Sequence, residues 1–168
     1  MPNYLIIISN MNVFISCTKS KEDYETTARH MYIPSAMFRK SLTYAKKVLK
    51  AEHIYILSAK YHLLPLNKSI TPYNEYLGDF SEEDKEKWYE ITIDMMKKQG
   101  IDFNEKAVFL AGDDYCSGLV GEFSNAECPF KHKGQGDILH WLTTQNEGVE
   151  EIQESGFIIP LSDYLRGI

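Results

Sequence analysis

Cysteine is scarce in this chain and carries no pattern. Cys17, Cys116 and Cys128 are odd in number and far apart, and no C-x-x-C occurs. That excludes a zinc ribbon or a disulfide framework as the organising device. It favours a reduced, cytoplasmic setting. Long apolar runs are missing too. The opening stretch, Met1-Pro-Asn-Tyr-Leu-Ile-Ile-Ile-Ser9, has no basic start and is too short for a signal or a span. His30, His53, His62, His132 and His140 show no H-x-x-x-H spacing, so no metal site and no cofactor is expected. Neither G-x-G-x-x-G nor the P-loop pattern occurs. Repeats, linkers and low-complexity stretches are lacking. There is no excess of basic charge either. The 18 Lys+Arg face 24 Asp+Glu, a net −6, which argues against a general nucleic-acid-coating protein.

What remains is an ordinary globular composition. With 43% hydrophobic residues in 168, the chain suits one domain with a sizeable core. Residues 1–168 are expected to form that single domain, with 1–10 as an extra edge strand or a tail. Met11 is a second potential start, because the apolar run 13–16 already reads as a core strand. Pro34 and Ser35 open a helix, with Ser35 as its cap and Phe38, Leu42, Ala45 and Leu49 along one face. A second strand is expected at 54–57, followed by a long loop over 58–80 with a helical turn near 73–77. Loops of that length usually carry function. Ser81 then opens a helix whose core face is Trp88, Ile91 and Met95, ended by Gly100. A third strand at 107–111 leads to Asp113 or Asp114 as a helix cap. Asp137 is expected to cap a short helix over 138–144, and 157–160 reads as a last strand before a capping Ser162. The alternation implies an α/β fold, a mainly parallel sheet flanked by helices.

Ligands in such sheets bind beyond the carboxyl ends of the strands. Three ends pass from apolar to polar residues: Ser16-Cys-Thr-Lys-Ser-Lys21, Ser58-Ala-Lys60 and Ala111-Gly-Asp-Asp-Tyr115. Cys17, Ser58, Lys60, Gly112 and Tyr115 are therefore expected to line one cavity. Lys19, Lys21 and Lys60 suit phosphate. Cys17 suits either a nucleophile or a small packing residue. His62 suits a general acid or base. Gly134 and Gly136 bracket a glycine-rich turn whose N–H groups suit an anion. Tyr32, Tyr61, Tyr73, Tyr76 and Tyr115 interleave with cations, the pattern used for base stacking. The basic helix residues Arg39, Lys46, Lys47 and Lys50 offer a local footprint for nucleic acid.

Ordered along the chain are Cys17-Thr18-Lys19-Ser20-Lys21, Ala28-Arg29, Met31-Tyr32, Pro34-Ser35, Phe38-Arg-Lys-Ser41, Leu57-Ser-Ala-Lys-Tyr-His-Leu-Leu64, Pro72-Tyr73, Ala111-Gly112, Tyr115, Gly134-Gln-Gly136 and Trp141-Leu142. As a set they resemble a family of small bacterial and phage proteins known only as a domain of unknown function. The 57–73 block also resembles that of the YaaA peroxide-stress proteins and, more distantly, the uracil-DNA-glycosylase-like domain of archaeosine synthases. In that block the family usually has glycine where this chain has His62. The resemblance implies a uracil-DNA-glycosylase-like or YaaA-like α/β fold that handles DNA, RNA or a modified base. The expected function is a nucleobase or nucleotide pocket with N-glycosidase-like hydrolase or transferase chemistry. The ligand-binding residues would be Cys17, Thr18, Lys19, Lys21, Arg29, Tyr32, Ser58, Lys60, Tyr73, Gly112, Tyr115, Gly134 and Gly136. Asp113 or Asp114 would serve as the carboxylate, with His62 as acid or base. The alternative is a non-catalytic nucleotide- or nucleic-acid-binding accessory protein of a phage or stress response. Single strands or extruded bases would be preferred as partners, and no membrane is expected.

Overall fold

The computed structural model describes residues 10–153. The expected edge strand at 1–10 and the last strand at 157–160 with its capping Ser162 lie outside the described residues, apart from Asn10. In chain order the elements begin with β1 (Met11–Ser16), β2 (Thr26–Thr27), α1 (Ala28–Met31) and α2 (Ala36–Thr43). A π-helical turn, Tyr44–Val48, extends α2. Then come β3 (His53–Ser58), β4 (His62–Pro65), β5 (Ser69–Ile70) and α3 (Glu82–Gln99). The chain continues through β6 (Lys106–Leu110), α4 (Asp113–Cys116), β7 (Ala126–Glu127) and α5 (Gln135–Gln145).

One sheet has the order β4-β3-β1-β6-β7. β1 pairs in parallel with β3 and β6, β6 in parallel with β7, and β3 antiparallel with β4. β1 is central, and Asn12, Val13, Phe14 and Ile15 are buried in it. A continuous apolar run is what a strand covered on both faces requires. Phe14 stacks on Phe109 and Tyr55 of the neighbouring strands, with ring centroids 5.0 and 5.7 Å apart. From β1 the chain crosses through α2 to β3 on one side, then through α3 to β6 on the other. Right-handed crossovers in opposite directions put α2 and α3 on opposite faces. The direction reverses beside β1, and that switch point is where such sheets take ligands.

Local chemistry explains the helix ends. Ser35 Oγ accepts from the Phe38 amide at 3.2 Å, and Ser81 Oγ from the Asp84 amide at 3.1 Å. Glu82, Glu83 and Asp84 fill the first turn of α3, and Lys97 and Lys98 the last, as the helix dipole favours. Gly100 closes α3 at φ 82°, where a side chain would strain the backbone.

Several expectations are corrected. The 58–80 stretch is not one loop, because β4 folds back onto β3 as an edge strand and β5 pairs with β2. Ile91 lies on the solvent side of α3 at 47% exposure, and the buried face is Trp88, Tyr89, Thr92 and Met96. The sheet edge beside β4 selects that face. Neither Asp113 nor Asp114 caps a helix, since both lie inside α4 behind Gly112. Asp137 lies in the first turn of α5, which starts earlier, at Gln135 behind Gly134.

Candidate functional site

Three adjacent parallel strands, β3, β1 and β6, end on the same side of the sheet. Cys17 follows β1 directly. Its amide donates to the Leu57 carbonyl at 2.8 Å, so the chain leaves β1 still tied to β3. Its Sγ lies 3.2 Å from Tyr115 Oη, which α4 delivers from the end of β6. That contact sits at the switch point and joins residues far apart in sequence.

A second group forms around Ser58, the last residue of β3. Ser58 Oγ donates to Tyr73 Oη at 2.7 Å and accepts the Tyr61 amide at 3.0 Å. Tyr73 Oη also shares a hydrogen bond with Tyr32 Oη. The Ser58 carbonyl accepts Trp88 Nε1–H at 3.0 Å. Trp88 meets Tyr115 edge-on, with centroids 5.8 Å apart, and so links the two groups. Tyr32, Ser58, Tyr73 and Tyr115 are buried, while Cys17, Thr18 and Lys21 are only partly covered. The tyrosines and Ser58 make a floor, and the segment after β1 makes a rim.

Lys21 Nζ stands 4.7 Å from the centre of the Tyr73 ring, a cation–π distance. Burial lowers its pKa, and the nearby Cys17 and Glu75 pull it back up. Burial, reinforced by Cys17, holds the hydroxyls of Tyr32, Tyr73 and Tyr115 well above the ordinary tyrosine value. They stay protonated at physiological pH. The floor therefore offers neutral O–H groups, each able to donate or accept, beneath one ammonium. Such a set can orient a polar, uncharged or anionic ligand without reorganising.

The other expected residues are placed unevenly. Thr18 Oγ1 donates to the Ser20 carbonyl, and Lys19 is exposed. Lys60 is exposed with Nζ 5.3 Å from the Tyr61 ring centre. Gly112 is exposed and opens α4. Asp113 lies 3.6 Å from His132, and Asp114 lies 3.1 Å from Lys85 of α3. His62 turns toward α3, its ring over Trp88 with centroids 5.8 Å apart and Nδ1 3.4 Å from Thr92 Oγ1. Burial lowers its pKa. Arg29 stands apart from this group. The Arg29 amide is tied to the Leu66 carbonyl and its charge acts on Lys46, while Gly134 and Gly136 open α5, which packs on α2.

Sequence reasoning missed Glu75, Lys85, Trp88 and Tyr89 as neighbours of the site. Tyr89 Oη donates to the Asp114 carbonyl at 2.6 Å, and so, with Lys85, ties α4 to α3. Helical periodicity marks Trp88 as core. Nothing local marks its bond to Ser58.

A model described as a family of unknown function, DUF6884, matches residues 13–144. The chain belongs to this family. The matched span of DUF6884 runs from β1 to within α5 and contains every residue of the strand-end group. Comparison with curated proteins and with solved structures found no match.

Proposed function

We propose that this DUF6884 protein recognises a nucleobase- or nucleotide-sized ligand at the carboxyl ends of β1, β3 and β6. One observation carries the reading. Cys17 and Tyr115 touch at the switch point, beside Lys21 and the neutral Ser58–Tyr73–Tyr32 hydroxyls. The resemblance of the 57–73 block to YaaA proteins and to the uracil-DNA-glycosylase-like domain supports a base as the bound group. Lys19, Lys21 and Lys60 supply charge for a phosphate, and tyrosine supplies a stacking plane.

The catalytic form of the proposal is N-glycosidase-like. Water adds to the sugar C1, the C–N bond breaks, and the base leaves with a proton. Asp113 or Asp114 would orient that water or stabilise the oxocarbenium-like sugar. The non-catalytic form, an accessory binder of nucleotide or nucleic acid, has its own support. Asp114 already faces a counter-charge, Lys85, and Asp113 lies against His132.

The test is direct. The protein is titrated with nucleotides and short single-stranded oligonucleotides, following tryptophan fluorescence, and free base is assayed by chromatography. Lys21→Gln should weaken binding about tenfold, as loss of a charged contact does, whereas Lys87→Gln on α3 should not. Base release that disappears in Asp114→Asn or Asp113→Asn marks the enzyme, and binding without release marks the accessory protein. Absence of binding, or equal binding by Lys21→Gln and the native chain, sinks both forms.

A further inference from the structure

At the opposite end of the sheet, a cleft of about 660 Å³ opens between the end of the α2 π-turn, the start of β3 and the end of β4. Its size falls within the roughly 300–1,000 Å³ of small-molecule sites. Lys46 and Lys50, the apolar Ile54, Pro65 and Leu66, and the amide-bearing Asn67 and Gln99 all line it. Glu52 and His53 complete the rim.

The charge distribution is unusual for an acidic chain. Arg39 and Lys40 share an ion pair with Glu151, and Lys47 donates to the Glu150 carbonyl. Lys46 and Lys50 have no ion pair among the described residues. Lys46 is partly buried, and its ammonium is destabilised by burial and then by the Arg29 guanidinium. The helix dipole favours lysines at the end of α2, but it does not explain a third cation brought up from α1. Two lysines without an ion pair, with Arg29 acting on one of them, outweigh the single rim carboxylate, Glu52, and that positive excess suits an anion.

We propose that this cleft binds a small organic phosphate, with the phosphate held by Lys46 and Lys50 and the uncharged part against Ile54, Pro65 and Leu66. The side-chain amides of Asn67 and Gln99 give that part its hydrogen bonds. The site is independent of the one at the strand carboxyl ends, because no residue lines both.

Nuclear magnetic resonance titration of the full chain tests the assignment, using adenosine 5′-monophosphate, adenosine and inorganic pyrophosphate. The monophosphate should shift the amides of Lys46, Lys50, Leu66, Asn67 and Gln99, and adenosine should bind more weakly. Lys46→Gln with Lys50→Gln should lower affinity by about tenfold or more, since hydrogen bonds to charged groups are lost. Lys46→Arg with Lys50→Arg should restore it, which separates loss of charge from loss of fold. Shifts confined to Cys17, Lys21 and Tyr115 would overturn this proposal and leave the strand-end reading standing. Unchanged affinity in the Gln double variant would overturn it too. Pyrophosphate binding as tightly as the monophosphate would overturn the role given to Ile54, Pro65 and Leu66.

Discussion

His62 shows how one side chain can be placed against its own preference. Its φ is 65°, in the left-handed region that costs an ordinary residue about 1–2 kcal/mol. The strand-to-strand turn after Ser58 requires that conformation, and Ser58 and His62 are register partners of β3 and β4. A glycine there would meet the same demand without strain. This chain instead has an imidazole that packs over Trp88 and near Thr92. Burial holds His62 below the ordinary histidine value of 6.5. The neutral ring is therefore the form that fits the fold. Below pH 6.5 the unfolded chain takes up the proton first, so stability falls as pH drops toward the folded-state pKa. Urea midpoints measured between pH 8 and pH 5 should decline less in His62→Asn than in the native chain. Asparagine tolerates the left-handed backbone and does not titrate. Parallel declines in the two proteins would remove His62 from the acid sensitivity.

At the scale of elements, the docking of α4 on α3 decides where Asp114 and Tyr115 stand. Tyr89 of α3 lies across the chain at Gly118, and a Cβ there would collide with the Tyr89 ring. Gly118→Ala should therefore push Tyr89 off the Asp114 carbonyl and cost about 1–3 kcal/mol, the usual price of overpacking. Gly121→Ala, where a Cβ meets nothing within 4 Å, is the control. Equal denaturation midpoints for the two variants would mean that the ring yields without cost. The same pair of helices marks the limit of reading a sequence. Ser35, Ser81 and Gly100 are legible because a cap is a bond within a few residues. The three central strands are legible as apolar runs that end in polar residues. β4 is not, because four residues ending in proline become a strand only by pairing with β3. Ile91 is misassigned because periodicity defines a stripe and tertiary contact decides which side of it is buried. The strand ends can be predicted to converge, yet the Tyr32–Tyr73 and Cys17–Tyr115 bonds span 41 and 98 residues and leave no local trace.

Over the whole molecule, 24 acidic residues outweigh 18 basic ones, and two groups of cations without an ion pair among the described residues stand at opposite ends of the sheet. Lys19, Lys21 and Lys60 belong to the carboxyl end, and Arg29, Lys46 and Lys50 to the amino end. The segment around Glu150, Glu151 and Ile152 lies along α2 and occupies the remainder of its basic face. Glu151 takes Arg39 and Lys40, the Glu150 carbonyl takes Lys47, and the Ile152 amide donates to Thr43 Oγ1 at 3.0 Å. A continuous basic track for duplex is therefore absent from the described face of α2. No described helix is long and apolar enough to cross a membrane. An oligonucleotide that uses one end engages about three phosphates. The slope of log K against log salt should then be about −2 for single strands and about −3 for duplex, from roughly −0.7 and −0.9 per contact. Single strands should still bind more tightly, because a base must leave its stack to meet a tyrosine, and duplex loses a few kcal/mol in unstacking. Filter binding on matched single- and double-stranded oligonucleotides, from low to moderate salt, measures both quantities. A duplex preference with a slope steeper than about −6 would require phosphate contacts from both ends of the sheet at once, and would replace base recognition with groove binding.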